Sequence, residues 1–376
     1  MTLETPATGC PIDHRGIRRI TTAMGHQGWL VSDYQQVRKL FSDPNLGRAH
    51  PAPETAARVA ESTFFGGPMG DFATEHAEHE RMRGILQPFF APAKMRAFRG
   101  RVEEIAAGLF DTMAANGSPA DLYAAVALPL PLLVICELLG VPEPERGDLH
   151  RWTDAMATAT DALKAATAAG EMLGYCTTLV ARKRTDPADD VISRLCERDD
   201  LTDSGAALLA MLMLFAGHET SVVQIGMGAL HLLRDRAQWQ ALVDRPELVA
   251  GAAEELLRVP DAVGLPRYAR ADFEVDGVGI GAGELVVLDL TAANHDAAVF
   301  TDPDRIDIAR KEAAHLTFGY GVRYCVGAPL ARIELQVVYT QLVSRFPTMR
   351  LAVDPATVRM REDVFTGGVA ELPVAW

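Results

Sequence analysis

The sequence is poor in cysteine and has none in a paired motif. Its 376 residues include 5 cysteines, which are scattered along the chain, odd in number and free of any Cys-x-x-Cys pair. This usage argues against a disulfide framework and against a structural zinc site, and it favours a reducing compartment such as the cytoplasm. The first residues lack a basic segment followed by an apolar one, so we expect no signal peptide and no membrane anchor.

Positive charge and long apolar runs are scarce as well. The formal net charge is −14, which argues against nonspecific attraction to nucleic acid or to an anionic membrane. The most apolar stretch, 206–217, is shorter than a membrane span and is followed by polar residues at 218–221. We therefore expect neither a nucleic-acid partner nor a membrane partner.

Helical periodicity dominates what is present. The sequence shows no repeat of fixed period and no low-complexity linker, so we expect a single domain over residues 1–376. Strand-like runs are few, and the pattern predicts a mainly α fold with a small β region. Helices are predicted at 32–41, 74–90, 93–116, 130–139, 143–162, 163–184, 202–233, 246–258 and 328–345. Strands are predicted at 18–22, 29–31, 267–275, 285–288 and in parts of 349–376.

The most informative segment is the glycine-punctuated loop at 318–327, which leads into the helical pattern at 328–345. Gly319, Gly321 and Gly327 permit backbone conformations closed to other residues and allow a flat ligand to approach. Cys325 lies near the predicted helix N-terminus, where the helix dipole favours an anion. A buried or exposed thiol without chemical function is the alternative, but the ordered glycines and Arg323 favour a thiolate presented to a metal ion.

Phe318, Gly321, Arg323, Cys325 and Gly327 fill all the specified positions of the pattern Phe-x-x-Gly-x-Arg-x-Cys-x-Gly. The segment resembles the haem-binding loop of the cytochrome P-450 superfamily. The resemblance implies a large helical part with a long central helix, small antiparallel β sheets, and haem b with Cys325 as the axial iron ligand. It also implies contacts of the loop residues Phe318 and Gly319 with the cofactor.

A second motif lies in the middle of the longest predicted helix, where Ala216, Gly217, Glu219 and Thr220 place small and polar residues in apolar surroundings. Buried polar groups cost free energy unless they have partners. One interpretation of Thr220 is a hydroxyl bonded back to the carbonyl of residue 216. The resemblance implies instead that Ala216 and Gly217 leave a groove over the haem for dioxygen, while Thr220 and Glu219 deliver protons.

Basic residues provide the remaining matches. His79 and Arg83 lie four residues apart on one helical face, and the resemblance implies that they bind haem propionates together with Arg267 and Arg323. Surface solubility, or a weak metal pair of His79 with His76, is the alternative. Metal binding is disfavoured because the sequence offers no third ligand at a recognisable spacing.

Two further patterns concern support and topology. Glu255 and Arg258 are three residues apart, as in any helical ion pair, but the resemblance implies a buried structural network that is completed by Arg305. The glycines at 277, 279, 281 and 283 suggest a dinucleotide fingerprint only superficially, because a strand pattern follows them instead of a helix. A hairpin turn is the better interpretation.

The resemblance places the substrate pocket above the thiolate, with largely apolar walls. Its expected lining residues are Phe64, Phe65, Met69, Leu209, Met213, Val263, Leu265 and Phe365. Such residues are ordinarily core residues, but together they suit an apolar small molecule such as a polyketide, a terpenoid or a cyclic dipeptide.

The sequence has no flavin or nicotinamide motif, so we expect the electrons to come from ferredoxin and ferredoxin reductase. The expected docking surface for ferredoxin is a basic patch on the thiolate side. Its candidate residues are Arg81, Arg96, Arg99, Arg101 and Arg332.

These features predict a haem-thiolate monooxygenase that inserts one atom of dioxygen into an apolar small molecule, in a tailoring step of secondary metabolism. Oxidative C–C or C–O coupling on the same haem, without oxygen insertion, is one alternative. A non-catalytic haem sensor is another, although it would not need Glu219 and Thr220. His295 stands where relatives often have arginine, which leaves local packing open.

Overall fold

The computed structural model describes residues 16–62, 65–259, 264–311, 314–362, 364 and 366–376. Helices account for most of this part of the chain, as the periodicity predicts. The α-helices are α1 (Tyr34–Leu40), α2 (Glu75–Leu86), α3 (Pro92–Asn116), α4 (Pro129–Leu139), α5 (Arg146–Ala157), α6 (Ala162–Thr185), α7 (Val191–Cys196), α8 (Asp203–Arg234), α9 (Arg236–Asp244), α10 (Val249–Arg258), α11 (Leu290–Asn294) and α12 (Ala328–Arg345).

Helix α8 is the central element of the fold. Its N-cap residue Thr202 accepts a hydrogen bond from the amide of Gly205 at 3.1 Å, which fixes where the helix begins. The helix has 32 residues, so it extends for about 48 Å. It is long and apolar enough to cross a membrane, but 72% of its most apolar window is buried inside the protein against neighbouring helices. It is therefore a core helix.

Three short helices were not predicted from the sequence. Helices α7, α9 and α11 are 6, 9 and 5 residues long, too short for a helical period to stand out. Each begins at an aspartate whose carboxylate accepts a backbone N–H of the first turn, namely Asp190, Asp235 and Asp289.

The β part forms three small sheets among the described residues. The strands are β1 (Ile17–Thr21), β2 (Gln27–Val31), β3 (Leu46–Gly47), β4 (Ala120–Asp121), β5 (Leu265–Ala269), β6 (Phe273–Val275), β7 (Val278–Ile280), β8 (Leu285–Leu288), β9 (Arg350–Leu351) and β10 (Pro373–Ala375). The largest sheet has the order β1-β2-β8-β5-β3. Its β2–β8 pair is parallel, so the expectation of purely antiparallel sheets is wrong at this pair. A parallel pair needs a long connection, and most of the chain lies between these two strands.

The glycine-rich segment around residue 277 forms a hairpin, as predicted. Val275 of β6 pairs with Val278 of β7, and the two turn residues Asp276 and Gly277 have φ of 49° and 81°. Positive φ at both turn positions is the geometry that suits a right-twisted hairpin, and Asp-Gly is a favoured pair for it. The predicted strand at 267–275 is divided, because β5 belongs to the large sheet and β6 to this hairpin.

Candidate functional site

The loop before α12 is shaped by backbone hydrogen bonds and by two glycines. The amide of Cys325 donates to the carbonyl of Phe318 at 2.8 Å, which closes the loop. Gly319 and Gly321 have φ of 70° and 61°, a conformation that L side chains rarely adopt. A Cβ at Gly321 would also overlap the side chain of Ser42. The loop therefore presents Cys325 immediately before the first turn of α12.

Cys325 differs from the other cysteines that the structure describes. Cys136, Cys176 and Cys196 are buried, whereas Cys325 is exposed. It is exposed to an internal cavity rather than to the outer surface, because protein atoms surround it on its other sides. Burial raises the pKa of the Cys325 thiol, and the backbone N–H groups of Gly327 and Ala328 act in the opposite direction. Such donors suit a sulfur anion.

The cavity has a volume of about 500 Å³ and lies between the middle of α8, the thiolate loop, α12 and strand β5. Most of its lining is apolar. It brings together eleven of the residues predicted from the sequence, which are Cys325, Phe318, Gly319, Arg323, Arg267, Ala216, Gly217, Thr220, Phe65, Met213 and Leu265. Residues from distant parts of the chain thus converge on one space, as the predicted site requires.

Helix α8 contributes the cavity wall that carries Ala216, Gly217 and Thr220. The hydroxyl of Thr220 donates to the carbonyl of Ala216 at 2.8 Å, so the local interpretation of this threonine is confirmed. Thr220 nevertheless borders the cavity, and its oxygen can still accept a hydrogen bond. A Cβ at Gly217 would lie 3.1 Å from the side chain of Ile135, so glycine permits α4 to pack closely there.

Glu219 does not line the cavity beside Thr220. Its carboxylate is 2% exposed and accepts hydrogen bonds from Arg361 at 2.7 Å and from Thr366 at 2.9 Å. Arg361 also pairs with Asp154 of α5 at 2.8 Å. Burial raises the pKa of Glu219, and Arg361 opposes that rise. Consecutive helical residues point about 100° apart, so Glu219 points away from the cavity that Thr220 borders. The hydrogen bond from Thr366, which lines the cavity, connects Glu219 to it.

Two arginines, Arg267 and Arg323, form the basic end of the cavity. Arg267 is 7% exposed, and its guanidinium donates to the carbonyl of Pro266 at 2.9 Å. Within the described part of the chain no carboxylate lies within ion-pair distance of Arg267. Burial, together with Arg48 and Arg323, lowers the pKa of Arg267 to about 9. A buried cation that faces a cavity without a counter-ion is suited to an anionic ligand.

His79 and Arg83 lie beside this end of the cavity but do not line it. The guanidinium of Arg83 donates to the carbonyl of Tyr324, in the thiolate loop. Burial and the neighbouring Arg323 and Arg83 lower the pKa of His79 to about 4. Helix α2 therefore places both side chains at the loop that carries Cys325.

The buried ion-pair network has a different third member from the one predicted. Arg258 makes two hydrogen bonds of 2.8 Å with Glu255, and the second cation on that carboxylate is Arg310 at 3.1 Å. The prediction of Arg305 is wrong in this respect. The side chain of Arg305 is exposed, and the residue contributes its carbonyl oxygen, which accepts from Arg258 at 3.4 Å. The chain after Arg305 turns back toward α10, and this turn brings Arg310 onto Glu255.

Two predicted pocket residues lie off the cavity wall. Leu209 is buried in the hydrophobic core, one helical turn before Met213 on α8. The sulfur of Met69 accepts from Arg48 at 3.0 Å, and this residue is not among those that line the cavity. Phe64, Val263 and Phe365 lie outside the described residues.

A polar group on the part of the cavity wall that α12 forms was not predicted from the sequence. Glu334 of α12 is 1% exposed and accepts a hydrogen bond from Ser221 of α8 at 2.7 Å. Its other oxygen and the side-chain oxygen of Gln224 are buried without a partner among the described residues. Burial raises the pKa of Glu334 to about 8. The available signal was an acidic residue on the apolar face of the helix that follows Cys325.

Comparison with known proteins decides the family. The chain is 39% identical over 372 residues to pentalenolactone synthase of Streptomyces exfoliatus, which covers 96% of this chain and 93% of that protein. The chain belongs to the cytochrome P450 family. The sequence model of the family, described as Cytochrome P450, matches residues 177–363. This P450 is also 39% identical to mycinamicin IV hydroxylase/epoxidase of Micromonospora griseorubida, over 96% of this chain and 92% of that one.

Solved structures agree with the family assignment. A mixed-function P450 in complex with mycinamicin IV superposes with a TM-score of 0.87 at 37% identity, covering 97% of this chain and 94% of that chain. A P450 in complex with filipin I gives a TM-score of 0.89 at 35% identity, covering 96% and 92%. The predicted mainly α fold with a long central helix is thereby confirmed.

Membership confirms the predicted enzyme class. This P450 is an oxidoreductase, a haem-thiolate monooxygenase whose cofactor is haem b, and its relatives include enzymes that tailor secondary metabolites. Bacterial members generally use dioxygen and take electrons from ferredoxin and ferredoxin reductase. The cavity fits this cofactor. The accessible thiol of Cys325 lies on its wall, the lining is largely apolar, and the buried guanidinium of Arg267 can bind an anionic group.

The predicted basic patch is mostly neutralised within the chain. Three of its arginines are in ion pairs: Arg99 with Glu103, Arg101 with Glu104 and Glu137, and Arg332 with Glu254. Among the described residues, Arg81 and Arg96 form no ion pair. The free positive charge on this face is therefore smaller than the sequence suggests.

Proposed function

We propose that this P450 inserts one atom of dioxygen into an apolar, medium-sized secondary metabolite as a tailoring step. The observation that carries the proposal is the exposure of Cys325 to the internal cavity that Ala216 and Thr220 also line. The mostly apolar lining supports an apolar substrate. A relative named as a hydroxylase/epoxidase of mycinamicin IV and a neighbour solved in complex with filipin I support the substrate class.

In this proposal Cys325 would bind the haem iron, and Phe318 and Gly319 would contact the cofactor. Arg267 and Arg323 would hold its propionates, together with His79 and Arg83, which lie at the loop that carries Cys325. When bound, the haem activates dioxygen, using the electron-donating thiolate. Glu255, Arg258 and Arg310 form a structural network and take no part in the chemistry.

The chain's own contribution to the reaction is to hold and move protons at defined atoms. Thr220 offers a hydroxyl at the cavity surface, and the small side chains of Ala216 and Gly217 leave space beside it. Glu219 holds a proton more readily than an exposed glutamate, because its burial disfavours the anion. Thr366 connects it to the cavity. We assign proton delivery to Glu219 and Thr220, with Thr366 as the connecting hydroxyl.

A spectrum of the reduced, carbon-monoxide-bound protein tests the ligation. The wild-type protein should show a strongly red-shifted Soret band, and Cys325→Ser should lose it while retaining the helical circular dichroism signal. The same mutation at the buried Cys176 is the matched control and should leave the band in place. A red-shifted band in Cys325→Ser would remove this cysteine from the site.

Product analysis separates the candidate outcomes. Binding of apolar metabolites would be screened by the shift in haem spin state, and turnover of the best binder would be run under isotopically labelled dioxygen. Insertion gives a product that carries one labelled atom, whereas C–C or C–O coupling gives a product without label. A protein that never consumes reductant with any bound metabolite would contradict both.

We also propose a cytoplasmic protein that is reduced by ferredoxin. Docking would use the thiolate-loop side, where Arg81 and Arg96 form no ion pair with a described residue and Tyr320 and Val322 are exposed. Reduction by ferredoxin should become slower as ionic strength rises if charge steers the encounter. Arg96→Glu should slow it more than Arg194→Glu, which changes an arginine that lies on α7.

A further inference from the structure

The basic end of the cavity contains one buried carboxylate that the proposed function does not use. Glu75, the first residue of α2, is 7% exposed. One of its oxygens accepts from the guanidinium of Arg323 at 2.9 Å, and the other accepts from Arg270 at 3.2 Å. Arg323 lines the cavity, so Glu75 contacts the wall from behind.

Backbone hydrogen bonds and close packing hold the carboxylate of Glu75 in place. The backbone amides of Arg48 and Ala49 donate to it at 2.7 and 3.1 Å. A Cβ at Gly47 would overlap its oxygen, so the chain approaches as closely as glycine permits. These donors lower the pKa of Glu75 although burial acts against them, and the side chain is therefore a stable anion.

The charges around Glu75 are unequal. The guanidinium groups of Arg48, Arg267, Arg270 and Arg323 lie around it. Within the described residues, Glu75 is the only carboxylate at ion-pair distance from Arg270 and Arg323. A cluster of buried cations is costly without counter-charge. Glu75 supplies counter-charge from the protein, whereas Arg267, which has no carboxylate at ion-pair distance among the described residues, is left for the anionic groups of a ligand.

We propose that Glu75 is a positioning residue that orients Arg323 toward the cofactor and sets the net charge at the propionate end of the cavity. The proposal rests on the cofactor contacts assigned to Arg267 and Arg323 above. Its consequence is electrostatic: a fixed negative charge near a redox centre disfavours the added electron, so Glu75 holds the reduction potential of the haem iron down.

The test compares the reduction potential of the haem-loaded protein in matched variants. Glu75→Gln keeps the shape of the side chain and removes its charge, so the potential should shift in the positive direction. Glu75→Asp keeps the charge and should return the potential to near the wild-type value. Glu78→Gln removes the same charge from an exposed position on the same helix, and screening by solvent should leave the potential almost unchanged.

A second measurement keeps the proposal testable if Glu75→Gln does not fold. Arg270→Gln removes one of the cations that pair with Glu75. More of the negative charge of Glu75 then acts on the haem, so the reduction potential should fall. Transfer of haem to an acceptor protein should be about as fast from Glu75→Gln as from the wild type, because the amide oxygen of glutamine can still accept from Arg323 and keep its orientation. A role confined to structure would accelerate haem loss and leave the potential unchanged.

Either equal potentials for Glu75→Gln and Glu78→Gln, or a positive shift in Arg270→Gln, would overturn the proposal. Failure of the proposed function is distinguishable, because wild-type protein would then lack the red-shifted carbon-monoxide spectrum. A wild-type protein with that spectrum and a potential insensitive to Glu75 would contradict this inference alone.

Discussion

The hydroxyl of Ser221 donates to the carboxyl group of Glu334 at 2.7 Å and joins the central helix α8 to α12 at the wall of the haem cavity. Burial raises the pKa of Glu334 to about 8, so this residue is largely protonated at neutral pH. The contact is thus between two neutral groups. Because the pKa of Glu334 is raised by folding, the stability of the protein depends on pH.

The first prediction concerns that dependence. An unfolded glutamate has a pKa of about 4.3, so between pH 5 and pH 8 the folded state binds a proton that the unfolded state has lost, and stability falls as pH rises. The free energy of unfolding of the wild type should fall by roughly 3 kcal/mol over this pH range, and Glu334→Gln should abolish that fall. Denaturant titrations at pH 5 and pH 8 measure it. The exposed control Glu143→Gln should follow the wild type, and parallel behaviour of Glu334→Gln would refute the assignment.

The second prediction concerns Thr220. Thr220→Ala should retain haem but lower the fraction of reductant recovered in product by roughly ten-fold or more, because proton delivery at the cavity is impaired. Released peroxide and product are measured per reductant consumed. Thr177→Ala is the matched control, since its hydroxyl makes the same i−4 hydrogen bond, to Leu173 at 2.8 Å, on the exposed face of α6. Unaltered coupling in Thr220→Ala would exclude this residue from the mechanism.

The third prediction concerns the counter-ion of Glu219. Arg361→Met should lower the free energy of unfolding by about 3 kcal/mol, because it leaves a buried carboxylate without its cation. The double variant Arg361→Met with Glu219→Gln should recover much of that loss. Denaturant titration at pH 7 checks both. Arg359→Met removes an exposed ion pair with Glu371, and solvent screening should leave the free energy of unfolding almost unchanged.

The fourth prediction distinguishes the two candidate members of the Glu255 network. Arg310→Met removes a side chain that is 8% exposed and bonded to the carboxylate, and it should destabilise the protein by about 3 kcal/mol. Arg305→Met changes an exposed side chain and should cost within about 0.5 kcal/mol, since its carbonyl remains. Thermal or denaturant unfolding of the two variants gives the comparison. Equal losses would mean that the side chain of Arg305 also supports the network.

Local chemistry in the sequence determined the elements and the principal ligand candidate. Helical periodicity predicted α8 within one residue at each end, because a long apolar helix has many turns over which its period can repeat. The glycines from residue 277 onward predicted a hairpin, and the structure places its turn at Asp276 and Gly277, a residue pair that accepts the required dihedral angles. The loop around Cys325 predicted thiolate ligation, because glycines, an arginine and a helix start stand there at fixed spacing.

Only the tertiary structure decided which side chains meet. Arg310 replaces Arg305 on Glu255, Glu219 turns to Arg361, and Glu334 and Glu75 prove to be buried next to the cavity. Each of these contacts joins residues far apart in the chain or depends on which face of a helix is covered. The free energy of burying a charge depends on its three-dimensional neighbours. Spacing along the chain could therefore name Glu219 but not its partner Arg361, and it could not name Arg310, Glu334 or Glu75.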